Sequence, residues 1–170
     1  TALSAGAEKV IAVDPSPEAV ECLRRNFTAE VRAGRVVIYP KGVWDEEKKL
    51  VLFGNGNGAA GDSFVAAGMG AQRILDIPVT TVDNIVKELG LSRIDLIKAD
   101  VKGAAERMLE GASQTVRTHH PRIIISTEEA PEDPVRIAAK VNALSGTYAL
   151  RCGPCLFNGD EIRTDVLFFQ

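Results

Sequence analysis

The sequence predicts a doubly wound α/β sheet, and three observations carry the prediction. Short, nearly continuous apolar runs at Lys9–Val13, Arg35–Tyr39, Ile94–Ala99 and Arg122–Ser126 have the length of buried strands. Stretches with apolar residues three and four apart follow several of them, so strands alternate with helices. Two further strand-like runs, Thr147–Arg151 and Val166–Phe169, close the chain. The 170 residues contain no repeat, low-complexity tract or internal boundary, and are read as one domain, 1–170.

Taken in order, Thr1–Gly6 reads as the tail of a helix stopped by Gly6. Lys9–Val13 is then a strand buried on both faces, ended by Asp14-Pro15-Ser16-Pro17, with Pro17 suited to a first helical turn. Glu18–Glu30 places Val20, Leu23 and Phe27 on one helical face, and Gly34 closes that helix before the strand Arg35–Tyr39. Strand, helix, strand in this order implies a parallel crossover. Gly42–Asp45 reads as a turn, Lys49–Phe53 as a short strand, and the Gly-, Asn- and Ala-rich stretch Gly54–Gly70 as a long binding loop or lid. Ile77–Thr80 is a strand, and Thr81 caps a helix over Val82–Leu89. Ile94–Ala99 is a buried strand, followed by Asp100, a Gly103 turn and a helix with Met108 and Leu109 inward. After Arg122–Ser126 comes an acidic loop, Glu128–Pro134, and a helix over Val135–Leu144 with Ile137, Val141 and Leu144 inward. A Gly-rich turn around Asn158-Gly159 joins the last two strands.

An apolar fraction of 45% and a charged fraction of 25% are those of an ordinary globular protein. A net charge of -3 offers no electrostatic case for nucleic acid or an anionic membrane as partner. No apolar run approaches the roughly 18 residues that a membrane span needs, and no charged-then-apolar leader is present. Cys22, Cys152 and Cys155 make an odd number without a disulfide-framework spacing. The expectation is a reduced, cytoplasmic protein.

Candidate chemistry gathers at strand ends. Asp100 sits where open α/β sheets bind ligands, at the carboxyl end of a strand before a Gly turn into a helix; capping that helix is the other role open to it. Asp14 holds the equivalent place after the first strand, where an acid can accept hydrogen bonds from ribose hydroxyls or simply build an Asp-Pro turn. Cys152-Gly153-Pro154-Cys155 has the spacing of a redox dithiol, but a turn rather than a helix follows it. A zinc site would need two further ligands beside that pair, and neither a second Cys pair nor a His is near in sequence. His119-His120 precede Pro121 on the far side from the strand carboxyl ends and read as loop histidines. Trp44 is either an adenine neighbour or a rim aromatic. Glu132 and Asp133 read as acids favoured at a helix start, while Glu128 together with Asp100 could hold a divalent ion; no resident metal is expected.

Together these segments resemble the FkbM family of S-adenosylmethionine-dependent methyltransferases, nearly end to end. V-I-A-V-D-P-S-P-E-A with the following L-R-R-N, G-V-W-D at Gly42, D-S at Asp62 and T-V-D-N-I-V at Thr81 are similar to successive family blocks. I-D-L-I-K-A-D-V-K-G-A resembles the family's V-D-[FL]-I-K-x-D-[VI]-E-G-A-E, and P-R-I-I-I-S-T-E-E-A-P-E-D-P, G-T-Y and D-V-L-F-F complete the series. The resemblance implies a class I methyltransferase (Rossmann-like) sheet whose last strand is antiparallel. It implies S-adenosylmethionine as cofactor, with Asp14 on the ribose, Gly42 and Val43 by the adenine, and Asp62 and Ser63 also on the cofactor side. Asp100 would stand near the methyl group and the acceptor oxygen as the catalytic carboxylate, and Lys102 and Glu128 would face the substrate, a small-molecule or sugar hydroxyl.

The sequence departs from the family pattern at three points. Lys102 and Ala105 stand where the pattern has Glu, and Glu106 comes one position late, about 100° further round a helix. The family's opening strand and D-x-G-A-N-x-G turn have no counterpart, since the chain starts about where the following helix ends. The sheet is therefore expected to be N-terminally incomplete. Lys9–Val13 and Ile94–Ala99 would lack a shared neighbour; the expectation is either a fragment or a truncated homologue in which a homodimer or an exchanged element closes the gap. The alternative to an enzyme is a non-catalytic remnant of the fold acting as a binding or oligomerisation module, with a C-x-x-C redox protein more remote.

Overall fold

The structure, a computed structural model, describes residues 2–54, 72–127, 130–158 and 161–170. Hydrogen bonds from Gly6 N–H to Leu3 and from Ala7 N–H to Ala2 make the first segment a turn closed by Gly6 at φ +95°. β1 (Val10–Val13) leads through Asp14-Pro15-Ser16 into α1 (Pro17–Asn26), with Pro17 at the helix start as its fixed φ favours. The helix expected over Glu18–Glu30 is broken at Phe27 (φ -117°, ψ 29°), and α2 (Thr28–Arg32) resumes it. The Thr28 hydroxyl donates back to the Arg24 carbonyl at 2.8 Å, the kind of local bond by which Thr bends a helix. Gly34 at φ +68° ends the helical stretch and starts β2 (Val36–Tyr39). β2 pairs with β1 in parallel, Val10 opposite Val36 and Val13 opposite Tyr39, as the strand–helix–strand order implies. One expectation fails here: all four β1 residues are only half-buried, and of α1 only Val20 is buried.

The turn expected at Gly42–Asp45 begins instead as β3 (Gly42–Val43). β4 (Lys48–Gly54) follows, then β5 (Gln72–Thr80), which takes β3 in parallel on one side and β4 antiparallel on the other. Trp44 N–H continues the β3 ladder onto the Thr80 carbonyl at 2.8 Å. α3 (Val82–Glu88) starts where the sequence placed it, because the Thr81 hydroxyl accepts the Asn84 N–H at 3.0 Å and satisfies one orphan donor of the first turn.

The main core belongs to the second half. β6 (Leu96–Ala99), α4 (Ala105–Glu110), α5 (Ser113–His119), β7 (Arg122–Ser126) and α6 (Asp133–Leu144) precede β8 (Leu150–Cys152), β9 (Cys155–Asn158), β10 (Glu161–Thr164) and β11 (Val166–Phe169). Four of these strands form a sheet in the order β6-β7-β11-β8. β6 and β7 are parallel, and β11 is antiparallel to both of its neighbours, so the last strand runs as expected. Ile123, Ile125, Leu167 and Phe169 alternate toward one face, where Met108, Leu109, Val116, Ile137 and Val141 cover them. Each such side chain contributes about 1.5–3 kcal/mol relative to exposure, so this layer dominates the fold's stability. Tyr148 seals its edge, donating to the Pro121 carbonyl at 2.7 Å and meeting Phe169 edge to face.

Two further expectations are corrected. The strand at Ile94–Ala99 is not buried, since Leu96 is 45% exposed and only Ala99 is buried. The closing strands are joined by a second hairpin, β9 with β10, rather than by a simple turn. The continuous doubly wound sheet is present in pieces among the described residues: β1 pairs only with β2, and β6 only with β7.

Candidate functional site

β6 runs parallel to β7 and delivers Asp100 to its carboxyl end, one residue past buried Ala99. The chain then turns tightly, Ala104 N–H bonding the Val101 carbonyl at 2.9 Å, through Lys102 at φ 37° and Gly103 at φ 80°. Gly103 takes the left-handed region freely, but Lys102 holds it at a cost on the order of 1–2 kcal/mol, and such strain persists only where surrounding structure imposes it. The turn carries the Lys102 ammonium to 3.5 Å from Asp100 Oδ1, while Lys98 lies 3.9 Å from Oδ2. The N-cap of α4 is Ala104, with no side-chain cap, so Asp100 is not spent on capping. Its side chain is 43% exposed.

Beside this corner a cleft of about 40 Å³ is lined by Val101, Lys102, Glu106, Ser126, Asp133 and Arg136. Glu106 is ion-paired there with Arg136 across α4 and α6 at 2.5 Å. The acid that the sequence places one position late therefore serves a helix-to-helix contact. Arg136 is a residue that sequence reasoning missed, because its partner lies on another helix thirty positions away. Asp133 accepts the Ala130 N–H at 3.0 Å within the α6 start, in keeping with its reading as a helix-terminal acid.

Asp14, at the carboxyl end of parallel β1, is part-buried, and its Oδ1 accepts the Ser16 N–H at 2.9 Å. That bond builds the Asp-Pro turn, so the turn reading holds, yet it occupies only one oxygen. Burial pushes the Asp14 carboxyl above the usual aspartate range, and the Ser16 bond opposes that shift. No hydrogen bond or ion pair joins Asp14 to Asp100 among the described residues.

Gly42 and Val43 lie on β3, Gly42 buried and Val43 packed at the edge of the main core. Next to them Trp44 has Lys48 and Arg107 over its ring at 5.7 and 6.0 Å. Arg107 donates to Asp45 at 2.7 Å and reaches Glu110, which pairs with Lys140, so a charged chain runs from the β3–β4 turn across α4 to α6. Among the described residues Asp45 Oδ1 is buried without a hydrogen-bond partner, with the Lys48 ammonium 4.0 Å away. Asp62, Ser63 and Glu128 lie outside the described residues.

The remaining constellations separate cleanly. Cys152 and Cys155 are both exposed and lie on one extended antiparallel arm, opposite Leu167 and Thr164 respectively. The strand is interrupted between them at Gly153-Pro154, and both thiols are free. The arm is pinned, with Gly153 N–H on the Val166 carbonyl and Asp165 N–H on the Pro154 carbonyl. Among the described residues neither thiol lies at a helix N-terminus. Among the described residues no group of three His, Cys, Asp or Glu side chains could hold a metal ion, and no helix is long and apolar enough to cross a membrane.

A family model, the methyltransferase FkbM domain, matches residues 1–148. No curated protein matches the chain. Among solved structures, a methyltransferase FkbM from Methylobacillus flagellatus KT superposes with a TM-score of 0.63 at 17% identity, covering 96% of this chain. At that identity the likeness speaks for the fold, and this chain spans 36% of that protein's length. With most of its length under the family model and its mixed α/β fold shared with a solved member, the chain belongs to the FkbM methyltransferase family.

Proposed function

We propose that the protein transfers a methyl group from S-adenosylmethionine to a hydroxyl of a small molecule or sugar. The observation that carries this reading is Asp100: a half-exposed carboxylate at the end of a parallel strand, flanked by two ammonium groups and free of any capping duty. A carboxylate so placed can take the hydroxyl proton of the acceptor as the new bond to carbon forms. Lys98 and Lys102 hold the carboxylate's position, and the strained turn at Lys102 fixes where that ammonium stands. Bringing the acceptor oxygen into line is the larger share of such a reaction, and rigid strand ends are suited to it. Lys102, with Glu128 after β7, is assigned to the acceptor.

The cofactor, when bound, supplies an electrophilic methyl group on a sulfonium. Asp14 fits a ribose: Oδ1 is used by Ser16, and among the described residues Oδ2 has no hydrogen-bond partner. Two hydroxyl donors would give that part-buried charge the partners it lacks, as charge-assisted bonds. Gly42, Val43, Asp62 and Ser63 complete the proposed cofactor side.

Calorimetric titration with S-adenosylmethionine, paired with detection of S-adenosylhomocysteine over a panel of hydroxyl acceptors, tests the reading. Asp100→Asn is expected to lower turnover by about 10²–10⁴-fold while cofactor affinity stays within roughly twofold. Absence of heat at millimolar cofactor would sink the enzyme reading for this chain.

A further inference from the structure

A second concavity lies at the opposite end of the same strands. At the amino ends of β6 and β7 an open cavity of about 410 Å³ is lined by Arg93, Asp95, Leu96, His119, His120 and Arg122. Its volume falls within the range of small-ligand pockets. Asp100 stands four positions beyond Leu96, which lines the cavity, about 13 Å along the strand, so the cavity is distinct from the proposed methyl-transfer corner.

Three elements bring the polar groups together. The loop before β6 supplies Arg93 and Asp95, the end of α5 supplies His119 and His120, and the first residue of β7 is Arg122. His120 closes α5 in the left-handed conformation, φ 46°, with its N–H on the Val116 carbonyl, and the chain turns directly into Pro121 and Arg122. The frame is tied: Arg122 N–H bonds the Asp95 carbonyl at 3.0 Å, and the Pro121 carbonyl accepts the Tyr148 hydroxyl. Asp95 Oδ1 takes Arg93 through Nε and Nη2, both at 2.6 Å, which orients that guanidinium. Arg122 makes no ion pair among the described residues. Two guanidiniums, two imidazoles and one carboxylate thus line the cavity, and the Glu8 carboxylate also acts on Arg93.

We propose that this cavity is a binding site for a small phosphate-type oxyanion, as the free ion or as the phosphate of a small metabolite. Guanidinium forks match the tetrahedral oxygens of phosphate in two-point contacts, and the imidazoles add N–H donors. Asp95 serves as a positioning residue that sets the Arg93 fork and is itself neutralised in doing so.

Inorganic phosphate is the probe, with acetate in parallel, both titrated against the full chain. Phosphate is expected to bind with a dissociation constant on the order of 1 mM, with acetate weaker. Arg93→Gln and Arg122→Gln are each expected to weaken phosphate binding by roughly three- to tenfold, while Arg25→Gln, on the exposed face of α1, leaves it unchanged. The chain has only two histidines, so their imidazole proton resonances report the site directly and should move on phosphate addition. Static histidine resonances, equal phosphate and acetate binding, or an Arg25→Gln loss as large as that of Arg122→Gln would overturn the proposal.

Discussion

The carboxylate of Asp83 caps a helix other than its own, because one of its oxygens accepts both the N–H and the hydroxyl of Thr115. Those bonds are 2.7 and 2.6 Å long, and the other oxygen accepts the Gln114 N–H at 3.0 Å. The first turn of α5, which begins after Ala112 with no cap of its own, is thereby completed from α3. Thr115 is buried, so removing its partner strands its hydroxyl and its amide.

Asp83→Ala is therefore expected to cost about 2–3 kcal/mol, a lost cap plus an unsatisfied buried donor. Urea unfolding should show a lower midpoint with an unchanged slope. A loss below about 0.5 kcal/mol would mean that water replaces the carboxylate.

Gly111 is required for space rather than for conformation. Its backbone is ordinary helical, but a Cβ there would lie 2.0 Å from the Trp44 carbonyl oxygen and 3.1 Å from Thr81 Cβ. The obstacle is backbone, which cannot swing aside. Gly111→Ala is expected to destabilise by about 2–3 kcal/mol despite alanine's better helix propensity, read as a fall in thermal midpoint.

At Asp14 stability and function are expected to diverge. Its carboxyl is pushed above the ordinary aspartate value by burial, so the folded state holds its proton to higher pH than the unfolded chain does. The folded state thus binds more protons across that window, and this group's contribution to stability falls as pH rises through it. Asp14→Asn keeps an Oδ1 acceptor for Ser16 and removes the buried charge. Its thermal midpoint at pH 7 should be no lower than that of the parent, while S-adenosylmethionine affinity drops by roughly tenfold or more. A lower midpoint with unchanged affinity would show that the carboxylate serves the turn alone.

The C-G-P-C segment should be inert as a dithiol. Mild oxidation with a disulfide reagent is expected to give mixed or intermolecular disulfides at the exposed thiols, but no Cys152–Cys155 bridge, because strand pairing ties each to a different position of the facing strand, Leu167 and Thr164. Mass spectrometry of the unreduced peptide decides it: a two-proton loss within residues 152–155 would refute the extended pairing.

Local rules account for much that was legible in advance. The strands at Arg122–Ser126 and Val166–Phe169, the Thr81 cap, the Gly34 stop and the parallel pairing of the first two strands all follow from periodicity, turn chemistry and chain order. Asp14 and Asp100 were visible for the same reason, since an acid at the end of an apolar run is a feature of five or six consecutive residues. Local reasoning failed where the decisive partner was remote. Nothing near Gly42 says that it joins Thr80's strand, and nothing near Glu106 says that Arg136 will meet it.

By itself, then, the sequence determined the element types, the strand-end acids and the family, because each is written in neighbouring residues or in the order of blocks. Only the tertiary structure decided how charged groups are spent. Glu106 goes to Arg136, Asp83 to α5, Asp45 to Arg107, and Asp100 to no cap at all. A carboxylate carries the same charge in every one of these roles. Which role it takes depends on what packing brings within about 3 Å of it, and that is set by helices and strands meeting from thirty or more positions away.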